Sequence, residues 1–316
     1  MYFPYFRGKQ FELIAIRDTA TLLADSGFIP IIEPVKEALK GLGRALDVVC
    51  DAGGQAIVIV NPHHGGLAGN GEAISAFLEN GYLEHDNICA GILLKDTTTV
   101  AEALVLYESH ADHSPYFIHM GFLEENELVE KLGEAVADTR HVFQEQSSPV
   151  LYRKKFTKAS RVLLRDSFKK QQKNSAYGEV ELFSDLHVTY DSELGLEGFG
   201  DFLTVGDEFS ETGGPAYAVA IHMTFIDPEK DDQMYVYHFI SDTNNTPTDP
   251  AGKFAEALGK LVNKYNTGSS KLFNGNALQE LIALHEKQHF PGLGQVKKLS
   301  MIHHIETLAD YLVGAD

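Results

Sequence analysis

The sequence has few cysteines, little positive charge and no long apolar run. Its 316 residues include only Cys50 and Cys89, too few for a disulfide scaffold or a cysteine-rich zinc module. Lys+Arg 26 against Asp+Glu 45 gives a formal charge of −19, which argues against a general electrostatic grip on nucleic acid or an anionic membrane. We find no basic-then-apolar leader and no run near the roughly 18 apolar residues of a membrane span. We therefore expect a soluble, cytoplasmic, globular protein.

The first half of the chain alternates short apolar runs with segments of helical periodicity. The expected strands are Met1–Phe6, Phe28–Ile32, Ala56–Val60, Ile88–Leu94, Tyr116–His119 and Arg140–Phe143. Strands that are apolar throughout are typical of parallel sheets covered by helices on both faces. The regular repeat favours a (β/α)8, TIM-barrel-like fold, with Ser160–Leu164 and Phe202–Val205 as the last two strands. A flavodoxin-like sheet is the alternative.

The second half of the chain breaks this rhythm. Two aromatic-rich strands within residues 216–240 flank a polar turn, which predicts an antiparallel hairpin added to the barrel. Three helical segments follow, at Asp249–Tyr265, Asn276–His289 and Val296–Val313. The sequence thus predicts a barrel-like domain over residues 1–248, hairpin included, and a C-terminal helical extension over 249–316.

Three short motifs carry a family resemblance. Residues 1–13 have the sequence MYFPYFRGKQFEL, residues 30–34 are Pro-Ile-Ile-Glu-Pro, and Gly200-Asp201-Phe202 follows later. Together they resemble the phage Beta protein family and its uncharacterised bacterial relatives. The resemblance implies a barrel-like fold and a role in phage defence or a mobile element, and it transfers no catalytic residues.

Polar residues follow most of the expected strands. In a barrel, the C-terminal ends of the strands meet at one mouth, where barrel enzymes place their sites. We assign binding of an anionic ligand to the cations and the amide at these positions: Arg7, Lys9, Asn61, Lys95 and Arg165. We assign acid/base work or metal ligation to four further residues: Glu33, His63, His119 and Asp201. The alternative is that these charges pair with one another and that His119, inside an apolar run, is a core histidine.

One motif points to different chemistry. His285-Glu286-Lys287-Gln288-His289 matches the H-E-x-x-H zinc-peptidase signature on an expected helix, which would put His285 and His289 one turn apart. Gln295 stands where the longer metzincin motif has its third histidine, and Pro291 follows the motif closely. Core-facing histidines are the competing interpretation.

Charge is unevenly distributed along the chain. Residues 153–173 hold nine Lys/Arg and one acid, whereas residues 179–211 hold ten acids and no Lys or Arg. The basic segment could contact nucleic acid or phosphate. The simpler interpretation is that it lies against the acidic one.

The leading hypothesis is therefore an enzyme or sensor that acts on a phosphorylated or otherwise anionic small molecule at the barrel mouth. The alternatives are a non-catalytic scaffold that binds protein or nucleic acid, and a zinc peptidase. No motif identifies a cofactor.

Overall fold

The chain forms two compact units. A computed structural model describes residues 1–192, 194–211 and 213–314. The first unit comprises Met1–Asp166 and Thr189–Phe202, and the second comprises Ser167–Val188 and the chain from Leu203 onward. None of the helices within the described residues is long and apolar enough to cross a membrane.

The structure contains parallel and antiparallel strands. They are β1 (Tyr2–Phe6), β2 (Ile31–Ile32), β3 (Ala56–Ile59), β4 (Ile88–Leu94), β5 (Tyr116–His119), β6 (Arg140–Gln144), β7 (Ser160–Arg165), β8 (Val180–Ser184), β9 (Gly198–Asp201), β10 (Ala220–Asp227) and β11 (Gln233–Ile240). The α-helices are α1 (Gln10–Asp18), α2 (Ala20–Asp25), α3 (Lys40–Asp51), α4 (Glu72–Tyr82), α5 (Val100–Ser109), α6 (Glu125–Leu132), α7 (Val150–Arg153), α8 (Leu186–Thr189), α9 (Pro250–Asn266), α10 (Asn276–Glu286) and α11 (Leu293–Val313).

The first unit is a closed barrel of eight parallel strands. Their order is β1-β2-β3-β4-β5-β6-β7-β9, and β9 pairs with both β7 and β1. This closure confirms the (β/α)8 prediction and excludes the open flavodoxin-like sheet. Alternate residues of the strands and of the chain just beyond them fill the barrel: Phe3, Tyr5, Ile29, Ile31, Ile57, Ile59, Cys89, Leu93, Tyr116, Ile118, Met120, Val142, Val162, Leu164 and Phe202.

The eighth barrel strand differs from the prediction. It is β9, Gly198–Asp201, and not Phe202–Val205. A Cβ on Gly198 would lie 2.5 Å from the Phe3 ring, and one on Gly200 would lie 2.1 Å from the Phe3 carbonyl oxygen. Close packing against β1 therefore requires glycine, which removes the apolar side chains that normally indicate a strand.

The second unit contains a three-stranded antiparallel sheet of order β10-β11-β8, with α9, α10 and α11. The predicted hairpin is confirmed as β10 and β11. The predicted domain boundary at 248 is corrected, because β11 also pairs with β8, α11 packs on β10 and α9 packs on β11. The hairpin and the C-terminal helices therefore belong to the same unit.

Candidate functional site

Four neighbouring barrel strands end in polar side chains at one rim. Alternation along a strand sends every second side chain inward. The last interior residues of these strands are Tyr5, Ile31, Ile59 and Leu93. Two positions further along the chain stand Arg7, Glu33, Asn61 and Lys95. We call these four residues, with His63 and His64, the rim cluster. They follow the C-terminal strand ends, as sites in barrel enzymes do.

Glu33 lies at the centre of the rim cluster and is 0% exposed. Its Oε2 accepts hydrogen bonds from the Tyr5 hydroxyl (3.0 Å) and from Nη1 of Arg7. Its Oε1 accepts from the backbone N–H of His63 (2.9 Å), the backbone N–H of His64 (3.1 Å) and Nδ1 of His64 (3.0 Å). Five donors therefore converge on one buried carboxylate.

These donors keep the carboxylate ionised. Burial raises the pKa of Glu33, but hydrogen bonding from His64 and the charge of Arg7 outweigh burial and lower the pKa to about 2. A carboxylate held in this way is a poor general base at neutral pH. The geometry gives Glu33 a positioning role, in place of the acid/base role expected from the sequence.

The same carboxylate determines the tautomer of His64. An ionised carboxylate can only accept, so Nδ1 of His64 carries a proton and the neutral ring has its lone pair on Nε2. Nη1 of Arg7 lies 3.4 Å from this Nδ1, which is a contact between two donors and not a hydrogen bond. A carboxylate that orients an imidazole through Nδ1 is typical of general-base and metal-ligating histidines. The strand-end pattern in the sequence indicated His63 and not His64.

His63 and Lys95 form the more open side of the rim cluster. The His63 ring is exposed and packs edge-on to His64, with ring centroids 5.0 Å apart. Partial burial, and then the charge of Lys95, lower the pKa of His63, so its ring is neutral at pH 7. Within residues 1–192, 194–211 and 213–314, no group hydrogen-bonds or ion-pairs with the Lys95 ammonium. Its charge is therefore available to a ligand.

A glycine turn holds the two histidine amides against Glu33. Gly65 has φ +73°, and a Cβ there would lie 2.1 Å from the carbonyl oxygen of Val35. The next amide, of Gly66, donates to that same oxygen at 3.0 Å. Only glycine allows this close approach, so the His63-His64-Gly65-Gly66 sequence encodes the position of both imidazoles.

Two predicted ligand-binding residues have clear backbone roles. The Asn61 side chain donates to the Leu93 carbonyl at 2.9 Å and accepts from the Leu93 amide at 2.7 Å, which continues the contact between β3 and β4 beyond the last backbone pair. The Lys9 carbonyl accepts the Leu13 amide at 2.9 Å and begins α1.

The structure does not bring His119 to the rim. Ile118 points into the barrel, so His119 points outward, where its ring packs against Tyr152, Phe156, Phe143 and His141. It is 0% exposed. Burial, with His141 nearby, lowers the pKa of His119 well below its ordinary value. The expected acid/base role at the mouth is therefore corrected to a buried position behind the barrel wall.

His119 belongs to a hydrogen-bond chain whose direction is determined. The Thr139 hydroxyl donates to the Val136 carbonyl (2.7 Å), so His141 Nε2 donates to that hydroxyl (2.7 Å). His141 Nδ1 then accepts from His119 Nε2 (2.9 Å), and His119 Nδ1 accepts from the Tyr152 hydroxyl (2.7 Å). Both ring nitrogens of His119 are therefore occupied by hydrogen bonds, to His141 and to Tyr152.

Asp201 and Arg165 also lie away from the rim cluster. Asp201 accepts from the Tyr2 hydroxyl at 2.8 Å, on the outer side of the strands, because the interior positions of β9 and its neighbour Phe202 are even-numbered. Arg165 follows the interior Leu164 and donates to both Glu145 oxygens, at 2.5 and 3.0 Å. The sequence predicted both residues at the mouth. Each instead follows an interior position by one residue, so its side chain points to the outer side of the barrel.

The H-E-x-x-H motif does not lie on one helix. α10 ends at Glu286, and Gln288 has φ +49°, which is left-handed backbone. His289 therefore lies beyond the helix, and the one-turn spacing that zinc ligation needs is lost. Across the described parts of the chain, no three His, Cys, Asp or Glu side chains come close enough together to hold a metal ion.

The basic segment 153–173 pairs with several acids. Lys155 contacts Glu125 (2.5 Å), Lys158 contacts Glu134 (3.6 Å), Arg165 contacts Glu145, and Lys170 contacts Glu208 (3.1 Å). Three of these acids precede the basic segment, and Glu208 lies in the acidic segment 179–211. The basic segment is therefore neutralised by acids from both the preceding and the following parts of the chain.

No family model matches the chain, and no curated protein is significantly similar to it.

Proposed function

We propose that the rim cluster binds a small anionic molecule, phosphorylated or carboxylated, and that His64 exchanges a proton with it. The observation that carries this proposal is the Glu33–His64 pair, in which an ionised buried carboxylate fixes Nδ1 of the imidazole at 3.0 Å. A buried carboxylate that receives five donors costs free energy to build, and its geometry serves to orient the imidazole.

Charge supports an anionic ligand. The Arg7 charge is balanced by Glu33, since the two groups form a buried ion pair. Lys95 then provides the positive charge beside the two histidines, and the pKa of His63 is lowered by burial and by that same charge. A phosphate or carboxylate near Lys95 would be stabilised by charge-assisted hydrogen bonds.

The chemistry that suits this arrangement is proton transfer at Nε2 of His64. When Nε2 takes a proton, the ring becomes cationic, and the ionised Glu33 stabilises that cation. An enzyme would use this step in turnover, whereas a sensor would use the same contacts to bind the ligand.

The test is a binding screen with an added reporter dye, because the chain contains no tryptophan. The panel consists of phosphorylated and carboxylated metabolites, scored by the rise in melting temperature. We expect Lys95→Met to weaken binding of any hit roughly tenfold, as loss of a charge-assisted contact does. We expect His64→Gln, which removes the imidazole that contacts Glu33, to weaken binding of the hit as well. The exposed Lys131→Met and His85→Gln are matched controls.

Two results would overturn the proposal. One is a panel in which no anion raises the melting temperature, and the other is a hit that binds Lys95→Met as tightly as the wild type. On the resemblance to the phage Beta protein family, we propose in addition a role in phage–host conflict. A fall in plaque number on cells that express the protein, lost with His64→Gln, tests that role.

A further inference from the structure

A cavity of about 520 Å³ lies between α1 and α3 in the first unit. None of the rim-cluster side chains lines it, so it is a separate feature of the barrel surface. Its volume falls in the range of about 300–1,000 Å³ that is typical of small-molecule sites.

The floor of the cavity is aliphatic. It is formed by one stripe of α1 and the facing side of α3 with the preceding loop: Leu13, Ile14, Val35, Leu39 and Leu42. Leu13, Val35 and Leu42 are buried, while Ile14 and Leu39 are half-buried. No aromatic ring lines the cavity. The floor therefore suits a flexible hydrocarbon better than a nucleobase, which favours stacking partners and hydrogen-bonding side chains.

The sides of the cavity are cationic. Arg17 in the last turn of α1 and Arg44 in α3 both line it, together with Lys36, and no acid does. Neither Arg17 nor Arg44 ion-pairs with any residue in the described ranges. Two arginines without an ion-pair partner at one cavity are unexpected in a chain of formal charge −19, where acids outnumber cations 45 to 26.

We propose that this cavity binds a free anionic amphiphile, an aliphatic chain with a carboxylate or phosphate head group. The hydrocarbon chain would lie along Leu13, Leu39 and Leu42, and the guanidinium groups of Arg17 and Arg44 would bind the head group by charge-assisted hydrogen bonds. This proposal is independent of the function proposed for the rim cluster.

The first test measures chain-length dependence. Calorimetric titration with octanoate, nonanoate and decanoate, each below its micelle concentration, should show affinity rising about fourfold per methylene, which corresponds to about 0.8 kcal/mol. Equal affinities along the series would show that the aliphatic floor is not used, and would overturn the proposal.

The second test removes the head-group contacts. Arg17→Ala/Arg44→Ala should weaken decanoate binding at least tenfold, because two charge-assisted contacts are lost. Lys131→Ala/Lys287→Ala removes the same charge at exposed positions outside the cavity and should leave binding unchanged. Equal loss in both double variants would indicate a general effect of net charge and would overturn the site.

The third test fills the cavity without changing charge. A Cβ at Gly41 meets only Leu13 Cδ1, at 3.3 Å, so Gly41→Leu should fold while its side chain occupies the floor. We expect decanoate binding to be lost in Gly41→Leu at an unchanged or raised melting temperature.

Wild-type binding to vesicles of phosphatidylglycerol, without binding of free decanoate, would identify a membrane lipid as the source and overturn the proposal of a free ligand.

Discussion

At the scale of single residues, the rim cluster depends on one carboxylate. Glu33 connects Tyr5 and Arg7 of the β1 strand and its end to the two histidines of the β3–α4 loop. It thereby fixes the tautomer of His64 and balances the charge of Arg7. Two functions of the site, orientation and charge balance, thus rest on the same two oxygen atoms.

We predict that Glu33→Gln lowers the free energy of unfolding by about 3–5 kcal/mol, because it leaves the Arg7 charge buried without its counter-charge. Urea denaturation measures the change. Arg7→Met/Glu33→Gln should recover part of the loss, since no unbalanced charge is then buried. The exposed Glu134→Gln, which removes the partner of Lys158, should change stability by less than about 1 kcal/mol. A Glu33→Gln protein as stable as Glu134→Gln would contradict this account.

The sequence pattern identified Arg7, Glu33, His63 and Lys95 because each follows a recognisable strand. It could not identify the role of His64, which depends on a hydrogen bond to a residue 31 positions away. It misplaced His119 for a different reason. A strand that is buried on both faces shows no alternation, so nothing in Tyr116–His119 indicates which side chains point inward.

At the scale of elements, closure of the barrel depends on the β1–β9 pair. β9 carries glycine at both positions that face Phe3, and this allows the two backbones to approach. Its composition explains why the sequence predicted the other seven barrel strands but displaced the eighth: strand prediction relies on β-branched and aromatic residues, and β9 contains only Phe199 of these.

We predict that Gly200→Ala destabilises the first unit by at least about 3 kcal/mol, because its methyl group would lie 2.1 Å from the Phe3 carbonyl oxygen and force β1 and β9 apart. Gly81→Ala is the matched control: Gly81 lies within α4, and a Cβ there meets nothing within 4 Å. The control should raise stability by about 0.5–1 kcal/mol. Thermal unfolding followed by circular dichroism compares the two, and equal melting temperatures would contradict the role given to β9.

At the scale of the whole molecule, buried neutral histidines should make stability depend on pH. Burial lowers the pKa of His141 and of His222 to about 3 and that of His303 to about 4, against 6.5 in an unfolded chain. Below pH 6.5 the unfolded chain binds more protons than the folded one. Stability is therefore full above pH 6.5 and is lost as the pH falls, by about 1.4 kcal/mol per pH unit for each histidine.

Urea denaturation between about pH 7 and pH 5 should show this loss. His303→Gln removes one titrating group and should reduce the mean slope over this range by about 1 kcal/mol per pH unit, whatever its effect on stability at pH 7. The exposed His85→Gln should leave the slope unchanged. Glu33 contributes with the same sign in a lower range, since its stabilisation is present above pH 4.5 and is lost as the pH falls toward 2. A slope unaffected by His303→Gln would contradict the assignment.

The path of the chain between β7 and β9 sets an order of events during synthesis. After β7 the chain leaves the first unit, contributes β8 to the second, and returns to complete the barrel at Phe202. The ribosome thus finishes every barrel strand before it makes β10 and β11, the sheet partners of β8. At about 5–20 residues per second, the ribosome completes β11 on the order of several seconds after it completes β8. During most of that interval the nascent chain contains all eight barrel strands and a β8 strand whose sheet partner has not yet been made.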